Sequence, residues 1–93
     1  MKENSKNSKY SILIKKRVEK ELRRIPKSSL KRIYNAIESL KNEPRPRGVI
    51  KIKGNEGYRI QVGNYRILYT IDDKDKVVKI FRVKKRGSVY SNL

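Results

Sequence analysis

The dipeptide Gly63-Asn64 lies between two stretches, Tyr58 to Val62 and Tyr65 to Tyr69, in which apolar and polar residues alternate. Alternation is the mark of a strand with one buried face, and glycine followed by asparagine predicts a two-residue type II′ hairpin turn. The register then follows: Val62 opposite Tyr65, Gln61 opposite Arg66, Ile60 opposite Ile67, Arg59 opposite Leu68. One face of the hairpin carries Tyr58, Ile60, Val62, Tyr65, Ile67 and Tyr69, the other Arg59, Gln61, Arg66, Leu68 and Thr70. The first face needs an apolar cover.

Two helices supply it. Val18, Leu22 and Ile25 fall at spacings of four and three, a helical stripe that Pro26 ends. Ser28 or Ser29 is then expected to cap a second helix whose apolar face carries Leu30, Ile33, Tyr34, Ile37 and Leu40. Their polar sides hold Lys16, Arg17, Lys20, Arg23, Arg24, Lys31, Arg32 and Lys41, which form either a solvated surface or a contact with RNA.

Strands flank these helices. Tyr10 to Ile14 reads as a short first strand. Pro44, Pro46 and Gly48 make a linker that cannot continue the second helix. Val49-Ile50-Lys51-Ile52-Lys53 alternates as a strand and stops at the turn Gly54-Asn55-Glu56-Gly57. After the hairpin comes a polar loop, Asp72 to Lys76, and Val77 to Lys84 is a last strand rich in β-branched residues. The expected fold class is α+β: a short N-terminal strand, then two amphipathic helices packed on an antiparallel sheet of three to four further strands. Residues 1–8 are expected to be a disordered basic N-terminus, and 9–93 one domain.

Composition narrows the chemistry. The net charge is +17, from 26 Lys+Arg against 9 Asp+Glu, with no cysteine and no histidine. Such a chain repels itself unless an anionic partner shares its surface. Disulfides, a thiolate nucleophile, a Cys-based zinc site and the commonest general base are excluded, and neither a metal nor a cofactor is expected. The longest apolar runs are a few residues, far short of the ~18 of a membrane span, and Met1 to Lys9 has no signal-peptide character. A soluble cytoplasmic protein without a membrane partner is expected.

On the polar face of the hairpin Arg59 lies diagonal to Arg66, roughly 7–8 Å apart between backbones, so two guanidinium forks can reach one phosphodiester. Gly87 permits the chain to turn, which would bring Arg86 and Tyr90 beside that pair. An aromatic next to cations is the pairing that holds unstacked single-stranded bases. Simple solvation of an exposed sheet face and a frayed C-terminus are the plainer readings of the same residues.

At these residues the chain resembles a RelE-type toxin of the RelE/ParE superfamily, most closely its archaeal branch. The resemblance runs from about Tyr10 to the end. It rests on an early Tyr-x-Ile-x-Ile strand, the helix junction at Leu22-Arg23-Arg24-Ile25-Pro26, the hairpin Gly63-Asn64-Tyr65-Arg66-Ile67-Leu68-Tyr69, and Lys84-Lys85-Arg86-Gly87 followed by Tyr90. It implies a toxin of a type II toxin-antitoxin system: a ribosome-dependent endoribonuclease that cuts messenger RNA in the ribosomal A site. A cognate acidic antitoxin, RelB-like, and the 70S-type ribosome are its implied partners, with the basic helices touching ribosomal RNA.

By the same resemblance the functional residues would be Arg59, Arg66, Arg86 and Tyr90, with Lys51, Lys53, Arg82, Lys84 and Lys85 as further RNA contacts. Bacterial relatives carry a lysine pair where this chain has Arg59 and Gln61, and here Lys51 and Lys53 lie one strand earlier. Metal-independent cleavage would proceed by attack of a ribose 2′-hydroxyl on the adjacent phosphorus, with cations stabilising the phosphoryl charge. Arginine stays protonated, so the proton would pass to Tyr90, a lysine, Glu56 or the ribosome. Two other functions fit the same sequence: a gyrase-inhibiting toxin of the ParE arm, and a non-catalytic basic nucleic-acid-binding protein.

Overall fold

The computed structural model describes residues 9–54 and 57–86. Residues 1–8, Glu56 and Tyr90 lie outside them. The elements are β1 (Ser11–Ile14), α1 (Lys16–Arg23), α2 (Lys27–Ser39), β2 (Ile50–Lys51), β3 (Gly57–Val62), β4 (Tyr65–Asp72) and β5 (Val77–Lys85). They form one five-stranded sheet in the order β1-β5-β4-β3-β2. Strands β2 to β5 pair antiparallel, as expected, and β1 joins them parallel to β5, making the sheet mixed.

The hairpin has the register its alternation dictates, from Val62 opposite Tyr65 to Arg59 opposite Leu68. Gly63 sits at φ 61°, and Lys76 is the one non-glycine at positive φ among the described residues, so Asn64 is not. A positive φ at the first loop position alone is the type II′ signature.

Both helices pack on the face that carries the hairpin's apolar row. Val18, Leu22, Ile25, Ile33, Ile37 and Leu40 meet Ile67, Tyr69, Val78, Ile80 and Val83 in one core. Each such side chain contributes about 1.5–3 kcal/mol by leaving water. Tyr34, expected on the same helix face, is instead 46% exposed. The stripe Ile33, Ile37, Leu40 runs at spacings of four and three, and Tyr34 is turned about 100° away from Ile33 by the 3.6-residue period.

Neither serine caps α2. Pro26 is its N-cap, without a side-chain capping bond, and the Pro26 carbonyl accepts the Leu30 N–H at 2.8 Å. Ser28 and Ser29 therefore lie inside the first turn, because a proline needs no donor satisfied there and can open the helix earlier. Strand β2 is shorter than the expected Val49 to Lys53, although the Ile52 N–H still reaches the Gly57 carbonyl at 2.8 Å. The segment after α2 is anchored by Tyr69, whose buried hydroxyl donates to the Pro44 carbonyl at 2.8 Å. Burial pushes this phenol well above the usual tyrosine range.

A bulge in β5 sets the faces of the sheet's C-terminal half. Leu68 pairs with Arg82 but Tyr69 with Ile80, leaving Phe81 as the extra residue. Strict alternation would place Ile80, Arg82 and Lys84 on one face, burying two cations. The extra residue inverts the phase, so Ile80 and Val83 both enter the core while Arg82 and Lys84 join the opposite face.

Candidate nucleic-acid interface

The face of the sheet away from the helices is built in rows across the strands. One row runs Ile50, Arg59, Leu68, Arg82, and the next runs Gln61, Arg66, Lys84. Arg66 is thus directly opposite Lys84 and diagonal to both Arg59 and Arg82. Diagonal neighbours in a sheet are about 7–8 Å apart, so the register gathers Arg59, Arg82 and Lys84 around Arg66 on one face. Arg59, Arg66, Arg82 and Lys84 are all partly buried, their stems lying on the sheet.

Arg82 is held in place from outside the sheet. Glu21 of α1 accepts a hydrogen bond from Arg82 Nε at 2.8 Å, and its other carboxylate oxygen accepts the Val83 backbone N–H at 2.8 Å. Strand β1 pairs only with Val77 to Ile80, so past Ile80 that edge of β5 has no strand neighbour and Glu21 takes its place. The motifs of the sequence do not single out Glu21. Its position three after Val18, on the flank of the buried stripe, is the signal that separates it from the solvated charges of α1.

The remaining sequence-predicted residues are distributed differently. Arg86 follows β5 directly and its N–H donates to the Asn64 carbonyl, which places its backbone beside the hairpin turn, two residues beyond Lys84. Lys51 is opposite Tyr58 and so belongs to the helix-side face, where its ammonium lies 5.0 Å from the Tyr58 ring centroid. Arg45 approaches the same ring at 5.3 Å, and Tyr58 stacks on Tyr69. Lys53 is exposed in the turn after β2. Lys85, opposite Tyr65, lines a cleft on the helix side with Arg24, Ile25 and Pro26. The structure thus brings together Arg59, Arg66, Arg82 and Lys84, with Arg86 at their margin, and separates Lys51, Lys53 and Lys85 from them.

Among the described residues no cluster of three or more carboxylates is placed to hold a metal ion, and no helix is long and apolar enough to cross a membrane. What the open face offers is fixed positive charge on rigid strands, suited to binding a phosphate and to stabilising charge that develops on it.

Two helices on one face of a mixed five-stranded sheet, with the other face basic and covered by none of the described elements, define a RelE-like toxin fold. The chain belongs to the family of ParE toxins of type II toxin-antitoxin systems, whose model matches residues 12–90. It is 34% identical over 88 residues to RelE1 of Methanocaldococcus jannaschii, covering 90% of this chain and 98% of that one. It is also similar to the archaeal RelE of the RelE–RelB complex from Pyrococcus horikoshii OT3, with 39% identity and a TM-score of 0.77 over 85% of this chain and 97% of the other. The free E. coli RelE carrying two arginine-to-alanine substitutions aligns at 25% identity and a TM-score of 0.72, over 89% and 92% of the two chains. A RelE-like toxin of a type II system is what these relationships establish.

Proposed function

We propose that this toxin is a ribosome-dependent endoribonuclease that cleaves messenger RNA in the decoding A site and so stops translation. The observation that supports the reading is that Arg59, Arg66 and Lys84, with Arg82 alongside, share the sheet face that none of the described helices covers. A phosphodiester seated there would have cations on both of its non-bridging oxygens. Attack of the 2′-oxygen on phosphorus forms the new P–O bond while the P–O5′ bond breaks. Negative charge grows on the phosphoryl oxygens and on O5′, and the cationic face stabilises it more in the transition state than in the ground state. The 2′-hydroxyl proton leaves to Tyr90 or a lysine, and O5′ takes up a proton as it departs. Arg86 adds a cation at the margin of the face, and Tyr90 enters the reading through the resemblance alone.

The reading also assigns partners. RelE is solved with RelB from P. horikoshii and from Methanococcus jannaschii, and a RelB-like acidic antitoxin is proposed for this chain, neutralising by covering the basic face. The ribosome supplies the message, and the exposed cations of α1 and α2 meet ribosomal RNA, which places the protein in the cytoplasm.

Primer extension on translating ribosomes programmed with a single message tests the proposal, with naked RNA as control. Cuts inside A-site codons that require the ribosome and disappear in Arg66→Ala support it. Continued translation without cuts, accompanied by inhibition of DNA supercoiling, would favour the second reading of the sequence, a gyrase-inhibiting toxin.

A further inference from the structure

Beside the arginine patch lies a second basic feature, which joins Lys16 and Arg17 of the basic helices and Arg82 of the patch to Lys15 and Lys79, two cations that the resemblance does not assign. A cleft of about 710 Å³ opens where β1 turns into α1 against β5, lined by Lys15, Lys16, Arg17, Lys79 and Arg82. Thr70 and Phe81 complete its wall. Its size falls within the ~300–1,000 Å³ of small-ligand sites. The Lys15 N–H donates to the Ile80 carbonyl at 3.2 Å, which fixes the corner of the chain directly beside the bulge residue Phe81. Thr70 pairs with Lys79 across β4 and β5, so these two share the floor.

In a chain of charge +17 a basic cleft is unremarkable by itself, and the comparison with other clefts of the described surface is what distinguishes this one. Four others each contain a carboxylate: Glu38 in one, Asp72 and Asp73 in another, Glu21 in a third, Glu19 in a fourth. The lining of the Phe81 cleft contains none. Arg82 is set against Glu21, and four further cations line the space. Phe81 is only partly buried, and as the bulged residue it is the one side chain of that strand segment released from the alternation that assigns its neighbours to core or open face.

We infer that this cleft is a second nucleic-acid subsite, holding an unpaired RNA nucleotide with its base against Phe81 and its phosphates among Lys15, Lys16, Arg17 and Lys79. The inference rests on the RNA-directed reading above and extends it. Arg82 belongs both to the cleft and to the row with Arg59 and Leu68, so a strand crossing the arginine patch continues into the cleft without leaving positive charge. Flat aromatic contact accepts any base, and the subsite thereby contributes affinity and direction and not sequence choice. The strand is either the message beyond the cut codon or an unpaired stretch of ribosomal RNA, which share this chemistry.

Binding of labelled single-stranded oligouridylate and of a duplex RNA of equal length, by fluorescence anisotropy at one fixed salt concentration, separates stacking from plain charge. Phe81→Leu keeps an apolar side chain and removes the ring. It is expected to weaken single-strand binding about 10-fold, the scale of one base–aromatic stack, and to leave duplex binding within about twofold. Equal losses on both RNAs, or none on the single strand, overturn the inference. Should Phe81→Leu fold poorly by circular dichroism, cross-linking the native chain to 4-thiouridine-containing RNA decides. A cross-link at Phe81 or its cleft partners supports the subsite, and cross-links confined to the Arg59 and Arg66 region overturn it. Repeating the cross-link on ribosomes with a labelled message identifies the source, since message label on the peptide that carries Phe81 marks the message as the occupant, and label confined to the Arg59 and Arg66 peptides leaves ribosomal RNA. Cleavage by Arg66→Ala, measured in parallel, reports on the nuclease reading separately.

Discussion

Glu21 spans from α1 to β5 and grips Arg82, one carboxylate oxygen 2.8 Å from Arg82 Nε and the other 2.8 Å from the Val83 backbone nitrogen. The pair is largely shielded, with side-chain exposures of 27% and 21%, so solvent screens it less than the surface bridges Lys41–Glu38 and Arg45–Asp73. A carboxylate that saturates both the open strand edge and the guanidinium next to it couples the helix layer to the functional face. The bond to Glu21 uses Nε, so the terminal nitrogens of the Arg82 fork keep donors that can serve an anion.

Glu21→Ala removes both acceptors and is expected to lower stability by about 1–3 kcal/mol, the range for a partly buried hydrogen bond to a charged group. Glu21→Gln keeps an oxygen for the Val83 N–H and loses the charge opposite Arg82, so its loss is expected to be smaller. Urea unfolding of the three proteins gives the order through the midpoint, and equal midpoints for Glu21→Ala and the native chain would show that the contact contributes nothing.

At the hairpin, Gly63→Ala introduces a Cβ on a residue at φ 61°, 3.3 Å from an Arg32 guanidinium nitrogen. The left-handed backbone costs a non-glycine residue roughly 1–2 kcal/mol. Arg32 can give way because its end is flexible, so the backbone strain dominates. Thermal denaturation should show a lower midpoint for Gly63→Ala, and a comparable loss for Gly48→Ala and for Gly54→Ala, whose φ of 90° and 85° carries the same backbone cost although no atom lies within 4 Å of the added Cβ.

Acid sensitivity is expected at Asp73. The Arg45 guanidinium first, then the Tyr10 hydroxyl, hydrogen-bond its carboxylate and hold it below the ordinary range. The folded chain therefore binds this proton more weakly than the unfolded one. The contribution is present above the unfolded-state value and disappears as pH falls through the lower folded-state value. Asp73→Asn should be less stable than the native chain at neutral pH and converge with it in acid. A gap that persists in strong acid would assign the effect to packing.

The hairpin was fully legible in the sequence because period-two alternation and a Gly-Asn turn over-determine register, so the positions of Arg59 and Arg66 followed from pattern alone. The helix stripes were legible for the same reason, apart from Tyr34, where aromatic character was mistaken for burial. What pattern did not give was the phase of β5. Val78, Ile80 and Val83 are spaced two and three, and that interruption is the trace of the bulge that moves Arg82 and Lys84 onto the open face. Lys51 and Lys53 join the expected site through the resemblance, as the lysine pair nearest to the one that bacterial relatives carry. Register assigns Lys51 to the other face. The partnership of Glu21 with Val83 spans 62 residues, and no local signal encodes a contact of that range.

That reassignment yields the most discriminating expectation for the site. Arg66 and Lys84 face one another across β4 and β5, whereas Lys51 lies over Tyr58 on the helix side. Each of the three substitutions to alanine removes one positive charge, so all should weaken non-specific RNA binding by a similar, modest factor through lost counterion release. Cleavage should part them. Arg66→Ala and Lys84→Ala withdraw charge from the phosphoryl oxygens where it is worth most, and are expected to lower the single-turnover rate on programmed ribosomes by on the order of 10²-fold or more. Lys51→Ala should remain within a few-fold of native, because its ammonium is separated from the reacting phosphate by the thickness of the sheet. If Lys51→Ala instead falls as far as Arg66→Ala, the cutting site lies on the helix side or spans the β2 edge, and the open face becomes a binding surface alone.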